Sequence, residues 1–126
     1  MSTVYLDTSA LVAVAFDERT AKRIARRLAS VDAVHSSNLL ETEFRAALVR
    51  ENVEDSAFLT WIDWVIPDRP LSPEIDRVLE IGYLRGPDLW HVACALFVEP
   101  SPHELEFITL DKQQRAVVEE LGFRTV

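Results

Sequence analysis

Glycine is scarce in this sequence, 3 residues in 126, and the scarcity removes whole classes of chemistry. There is no Gly-rich loop to cradle a nucleotide phosphate and no Gly-x-Ser-x-Gly turn to present a serine nucleophile. Nucleotide-driven motors and serine hydrolases are therefore excluded. Cysteine occurs once, so no intramolecular disulfide forms, and Cys94, between Ala93 and Ala95 in a helical pattern, reads as a small core residue. No His/Cys cluster has the spacing of zinc ligands. Apolar runs are far too short to span a membrane, and Met1-Ser2-Thr3-Val4 lacks the basic flank and cleavage site of a signal peptide. A cytoplasmic location with no membrane partner is expected. Positive charge is also short: 13 Lys and Arg against 21 Asp and Glu leave a net charge of −8. That argues against holding nucleic acid by bulk electrostatics alone. It does not exclude a nuclease, because cations held by carboxylates reverse the sign locally.

What is present is a large apolar fraction, 48% of the residues, without repeats, linkers or low-complexity runs. One domain over residues 1–126 with a single core is expected. The chain is organised around Val4-Tyr5-Leu6-Asp7-Thr8-Ser9. An apolar run ending on an aspartate reads as a buried strand that stops at a sheet edge, with Thr8 and Ser9 capping a helix from Ala10 to Phe16. A second helical pattern runs from Arg19 to Ala29. Ala21, Ile24, Ala25 and Leu28 recur at helical spacing and leave Arg19, Lys22, Arg23, Arg26 and Arg27 on the opposite side. That cationic face is either a solvated surface or a ridge for RNA phosphates.

Ala33-Val34-His35 reads as a short strand, and Ser36 or Ser37 caps a helix to about Arg50. At about 100° per residue, Leu40, Phe44, Ala47 and Leu48 share the buried arc and Glu43 falls inside it. Glu41 lies on the polar side, where it can pair with Arg45 at i+4. A carboxylate on an apolar face needs a partner, so Glu43 is the candidate functional acid of this helix. Glu54-Asp55-Ser56 then caps a helix with Phe58, Trp61, Ile62 and Val65 as its inner stripe. Its surplus apolar surface, Leu59 and Trp64, suggests a partner interface, and a homodimer is expected. Ile66 to Leu71 forms a connector or a short edge strand. The next helix starts with Ser72 as N-cap and Pro73 at its first position, turns Ile75, Val78, Leu79 and Tyr83 inward, and ends at Gly86-Pro87.

Asp88 opens a further helix to Val98. Read alone, it is either a cap or a functional acid. His91, three residues on, orients Asp88, touches substrate or is a satisfied structural histidine; the sequence leaves these open. Glu106 to Leu110 reads as a strand, Asp111 starts the helix Lys112 to Leu121, Gly122 ends it, and Phe123 to Val126 is a final short strand. Alternating strands and helices predict an α/β fold with a parallel sheet of four to five strands and helices on both faces.

In such a sheet every strand-to-helix turn lies at one edge, so Asp7, Asp88 and Asp111 converge there with Glu43. Four carboxylates in one cleft repel each other unless a cation neutralises them. Hard divalent ions, Mg²⁺ or Mn²⁺, fit that oxygen inventory, and hydrolytic phosphoryl transfer is the chemistry they serve.

With these residues assembled, the chain resembles the PIN-domain ribonucleases, particularly the VapC-type toxins of toxin–antitoxin pairs. Tyr5-Leu6-Asp7-Thr8-Ser9-Ala10-Leu11-Val12 is similar to the family's opening motif and Ser37 to Leu48 to its Ser-to-Glu helix. In that helix the match selects Glu43 over Glu41. Asp88-Leu89-Trp90-His91-Val92-Ala93-Cys94-Ala95 resembles the third motif and Phe107-Ile108-Thr109-Leu110-Asp111 the fourth. The resemblance implies a Mg²⁺- or Mn²⁺-dependent endoribonuclease. Asp7 and Asp88 would be the principal metal ligands, and Glu43 and Asp111 would bind metal, directly or through water, or help deprotonate the attacking water. Thr8, Ser9 and Thr109 would orient these carboxylates. Trp90 stands where the family usually has a smaller residue, which alters the cleft wall. The resemblance further implies a homodimer inhibited by a cognate antitoxin protein; the alternative is a non-catalytic PIN-like module that binds metal or RNA.

Overall fold

Val4, Tyr5 and Leu6 are all fully buried, as expected of a central strand covered on both faces rather than an alternating edge. In the computed structural model, which describes residues 2–126, they form β1 (Thr3–Leu6). The other strands are β2 (Ala33–Ser37), β3 (Ile62–Val65) and β4 (Glu106–Ile108), in the order β3-β2-β1-β4. All three pairings are parallel, with Tyr5 opposite His35 on one side and Phe107 on the other. The expected parallel α/β sheet is present, with four strands. The Phe123-to-Val126 strand is reduced to one bridge between Glu106 and Arg124.

Among the described residues six helices cover the sheet: α1 (Thr8–Ala15), α2 (Lys22–Ser30), α3 (Asn38–Arg50), α4 (Ser72–Ile81), α5 (Gly86–Val98) and α6 (Lys112–Leu121). Alternation along the strands divides the core. Val4, Leu6 and Ile108 pack on one face with Leu11, Ile24, Leu40 and Phe44. Tyr5 and Phe107 pack on the other with Val78, Val92, Leu96 and Val118. Helices α1 to α3 thus lie on one face and α4 to α6 on the other. None of the described helices is long and apolar enough to cross a membrane.

Several local expectations are corrected. The segment Glu54 to Val65 is not one helix; it contains a short 3₁₀ helix, Ala57–Trp61, that leads into β3. Its spacing fits both periods over so short a run, and the β-branched Ile62 and Val65 are the residues the sheet buries. Trp61, expected inward, is 74% exposed. Helix α4 begins at Ser72 with Leu71 in the cap position, so Ser72 is not the N-cap. It ends at Ile81, which leaves Tyr83 beyond it and exposed instead of inward; Leu79, inside the helix, is exposed as well. Gly86 and Pro87 do not end that helix; they form the first turn of α5, with Arg85 as its cap residue. Ala25 is exposed, and residues Arg19–Ala21 form a 3₁₀ turn before α2.

Three of the helix stops follow one rule. Asp17, Asn52 and Gly122, just past α1, α3 and α6, have φ of 53°, 55° and 111°, the left-handed conformation that closes a helix and that Gly, Asn and Asp tolerate best. Cys94 behaves as expected of a core residue: it is buried in α5, and burial pushes its thiol up to about 12. The native protein at about pH 8 is expected to leave a thiol-specific reagent unreacted while the denaturant-unfolded chain reacts fully. Rapid native modification would contradict this packing.

Candidate active site

The strand order sets the position of the cleft. The chain leaves β1 toward β2 on one side, whereas β4 arrives on the other, so the order reverses between β1 and β4. Ligand sites in open α/β sheets lie at such a point, beyond the carboxyl ends of the strands. Asp7 follows β1 and Thr109 to Asp111 follow β4 there.

Asp7 is itself the N-cap of α1, a correction to Thr8 and Ser9 as caps. Its Oδ2 accepts from Ser9 N at 3.1 Å, Ser9 Oγ at 2.6 Å and Thr109 Oγ1 at 3.2 Å. Ser9 Oγ also accepts from Leu110 N at 3.1 Å, which ties the end of β4 to α1. All these donors fall on one oxygen. Oδ1 has only His91 Nε2, at 3.9 Å.

Glu43 points from α3 into the same region, and Glu41 pairs with Arg45 at 3.0 Å on the surface, as the helical spacing predicts. Glu43 Oε1 receives Thr8 Oγ1 at 2.8 Å and approaches His91 Nε2 at 3.2 Å. These contacts, His91 first, hold its carboxyl below the usual carboxylate range despite partial burial. His91 is only 1% exposed. It is closed to solvent, and among the described residues no hydrogen bond or ion pair joins it to Asp88; Glu43, Thr8 and, through Nδ1 at 2.9 Å, the Tyr5 hydroxyl are its hydrogen-bond partners.

Asp88 is not a cap. It is the third residue of α5, with a side chain 20% exposed and Arg85 Nε at 3.6 Å. Burial raises its carboxyl above the ordinary value, and the charges of Asp7 and Asp111 raise it further. Asp88 thus lies within the fields of both Asp7 and Asp111. Asp111 is the N-cap of α6, its Oδ1 accepting from Gln114 N at 2.7 Å. The cap and functional readings of Asp111 are thus compatible.

Three of the four acids share one design: among the described residues, Asp7, Glu43 and Asp111 each receive every hydrogen bond on one oxygen, whereas Asp88 receives none on either. The free oxygens are hard donors and suit Mg²⁺ or Mn²⁺. Among the described residues, no group of three or more His, Cys, Asp and Glu side chains is arranged to hold an ion by itself, so metal binding here requires closer approach of these side chains or water as added ligand.

Two residues that sequence reasoning passed over support the cleft. Gln114 is fully buried; its Oε1 lies 2.7 Å from Thr109 Oγ1 and competes with Asp7 Oδ2 for that hydroxyl's one proton, and its Nε2 donates to the Asp88 carbonyl at 3.1 Å. Asp111 followed by Gln at the third helical position is a capping-box spacing and could have flagged it. Tyr5 carries no such signal, except that a buried phenol must find a partner. Trp90 donates through Nε1 to Ser37 Oγ at 3.2 Å, so the larger residue beside Asp88 fastens α5 to the start of α3.

The cationic face is not uniform. Arg27 Nε donates to Glu106 Oε1 at 2.8 Å, with side chains 31% and 10% exposed, so Arg27 is a structural partner of β4, not a free phosphate contact. Removing it leaves a largely buried carboxylate unpaired. Arg27→Ala is expected to cost about 1–2 kcal/mol, the lower part of the usual range because the pair is partly hydrated. Thermal denaturation measures it, and an unchanged melting temperature would contradict the pairing.

Acidic side chains gathered near the switch point of a four-stranded parallel sheet, with neither a phosphate-cradling loop nor a nucleophilic triad among the described residues, are the candidate site that this α/β fold presents. A PIN-domain profile matches residues 4–120, and the chain belongs to the PIN-domain family. PIN domains generally have a nuclease-type fold and typically act as metal-dependent nucleases, which makes the chain a hydrolase at this coarse level. Among curated proteins, none matches the chain.

Proposed function

We propose that the protein is a Mg²⁺- or Mn²⁺-dependent endoribonuclease, the VapC-type toxin of a toxin–antitoxin pair. The observation that carries the proposal is the shared anchoring of Asp7, Glu43 and Asp111 by one oxygen each, next to an Asp88 that receives no hydrogen bond. Asp7 and Asp88 are the principal ligands, with Glu43 and Asp111 completing the set or acting through water. A divalent ion held there supplies an activated water and neutralises charge developing on a phosphodiester. The chain's own part is positional: Thr8, Ser9 and Thr109 fix the carboxylates, and Glu43, kept ionised by its contacts, can accept a proton through its uncommitted oxygen. Arg19, Lys22, Arg23 and Arg26 form the RNA-facing ridge. The net charge of −8 suits a basic antitoxin, and exposed Trp61 and Ile66 suit a protein partner, a second copy of the chain included.

Incubation of the purified protein with a broad panel of structured RNAs, with and without Mg²⁺ or Mn²⁺, tests the reading. Expected is divalent-dependent internal cleavage that vanishes on chelation and in Asp7→Asn. Metal binding without cleavage of any RNA would instead leave a non-catalytic PIN-like module. Alanine at Arg19, Lys22, Arg23 or Arg26 is expected to weaken RNA binding and flatten its salt dependence; Arg27→Ala is expected to change stability and leave that slope unaltered.

A further inference from the structure

The buried chain of contacts from the sheet to Glu43 has only one consistent assignment of protons. Ser37 N donates to the Tyr5 hydroxyl at 3.1 Å, so the phenol's oxygen is an acceptor there and its one proton is left for His91 Nδ1 at 2.9 Å. At the other ring nitrogen, Thr8 spends its one proton on Glu43 Oε1. The contacts of His91 Nε2 with Thr8 Oγ1 at 3.1 Å and with Glu43 Oε1 at 3.2 Å then need a proton on Nε2. The Tyr5 end requires a bare Nδ1, which leaves the ring's proton on Nε2, and the Glu43 end requires the same Nε2–H. A proton on Nδ1 would leave the Tyr5 proton facing another donor.

We infer that Tyr5 and His91 are positioning residues: Tyr5 fixes the Nε2–H form of His91, and His91 with Thr8 holds Glu43 by Oε1 so that only Oε2 faces the cleft. The inference rests on the nuclease reading for its consequence in catalysis, but not for the proton placement itself. It also accounts for a histidine buried beside two acids in a chain where no described buried side-chain polar atom lacks a partner.

The test begins with heteronuclear NMR of the imidazole nitrogens in the full metal-free chain at neutral pH. The expected result is a single His91 species protonated at Nε2 alone, changing to a mixture of forms in Tyr5→Phe, which keeps the ring and removes the donor. A protonated Nδ1 in the wild type, or an unchanged pattern in Tyr5→Phe, overturns the inference. In RNA cleavage, Tyr5→Phe and His91→Leu are expected to lower kcat by about 10–100-fold, the usual range for residues that orient a ligand, with KM little changed. His91→Gln, which restores an N–H toward Glu43, should recover part of the loss. A purely structural role would lower thermal stability in all three variants without this split between kcat and KM or the recovery by Gln, and would overturn the inference. If the wild type cleaves no RNA, the nuclease reading fails while the NMR result still decides the proton placement.

Discussion

Asp88→Asn is expected to abolish RNA cleavage while leaving the metal-free protein at least as stable as the wild type. The Asp88 side chain is partly buried, receives no hydrogen bond among the described residues, and has only Arg85 at 3.6 Å as a counter-charge. Burial, then Asp7 and Asp111, raise its carboxyl above the ordinary value. For an acid whose folded value is raised, the folded state binds the proton more readily than the unfolded one, so stability falls as pH climbs from the ordinary carboxylate value through the raised one. At neutral pH that cost is fully present. Asn removes it and forfeits the favourable field at the helix start, about 0.3–1 kcal/mol, so the net gain is small. It is also pH-dependent: denaturation curves should show the advantage at neutral pH and lose it as acid protonates Asp88. The loss of cleavage should exceed the about 10–100-fold typical of residues that only orient a ligand. A folded Asp88→Asn protein that still cleaves would remove Asp88 from the ligand set.

Phe107→Ala should produce the largest loss of stability. The ring is fully buried in β4, stacks on Tyr5 with centroids 5.2 Å apart and planes at 16°, and meets Phe123 at 5.7 Å. It fills the space between the sheet and α5 and α6. Deleting a buried Phe ring costs about 3–5 kcal/mol, a large share of the about 5–15 kcal/mol that holds a domain of this size folded. Urea denaturation should register it as a lowered midpoint, with Phe107→Leu costing clearly less because it refills part of the cavity. Because Tyr5 lies against this ring, the loosened packing should also blur the His91 protonation pattern. A loss below about 1 kcal/mol would mean that the site collapses around the deletion.

Some features are local and so were readable from the chain. The continuous apolar run of β1 ending on Asp7 needs only strand length and hydrophobicity, and the selection of Glu43 over Glu41 needs only the angular step of a helix. The stop at Gly122 needs only a residue that accepts positive φ. The errors came where neighbouring elements arbitrate. Residues 57 to 65 satisfy helical and extended spacing alike until β2 offers Ile62 and Val65 a parallel partner. Gly86-Pro87 reads as a break, although Pro is compatible with the first turn of a helix, where its missing N–H has no partner to lose.

By itself, then, the sequence determined the α/β class and the central strand and marked out four candidate acids, because strand and helix periods and the residue types at their ends are properties of short segments. The tertiary structure alone decided what each acid touches. Thr109 reaches Asp7 across 102 residues and Tyr5 reaches His91 across 86, contacts that no spacing along the chain encodes. It also took Arg27 out of the cationic face by setting Glu106 beside it. Hydrogen-bond partners and charge environments depend on distances in space, and these exist only once strands β1, β2 and β4 are paired and the helices packed on them.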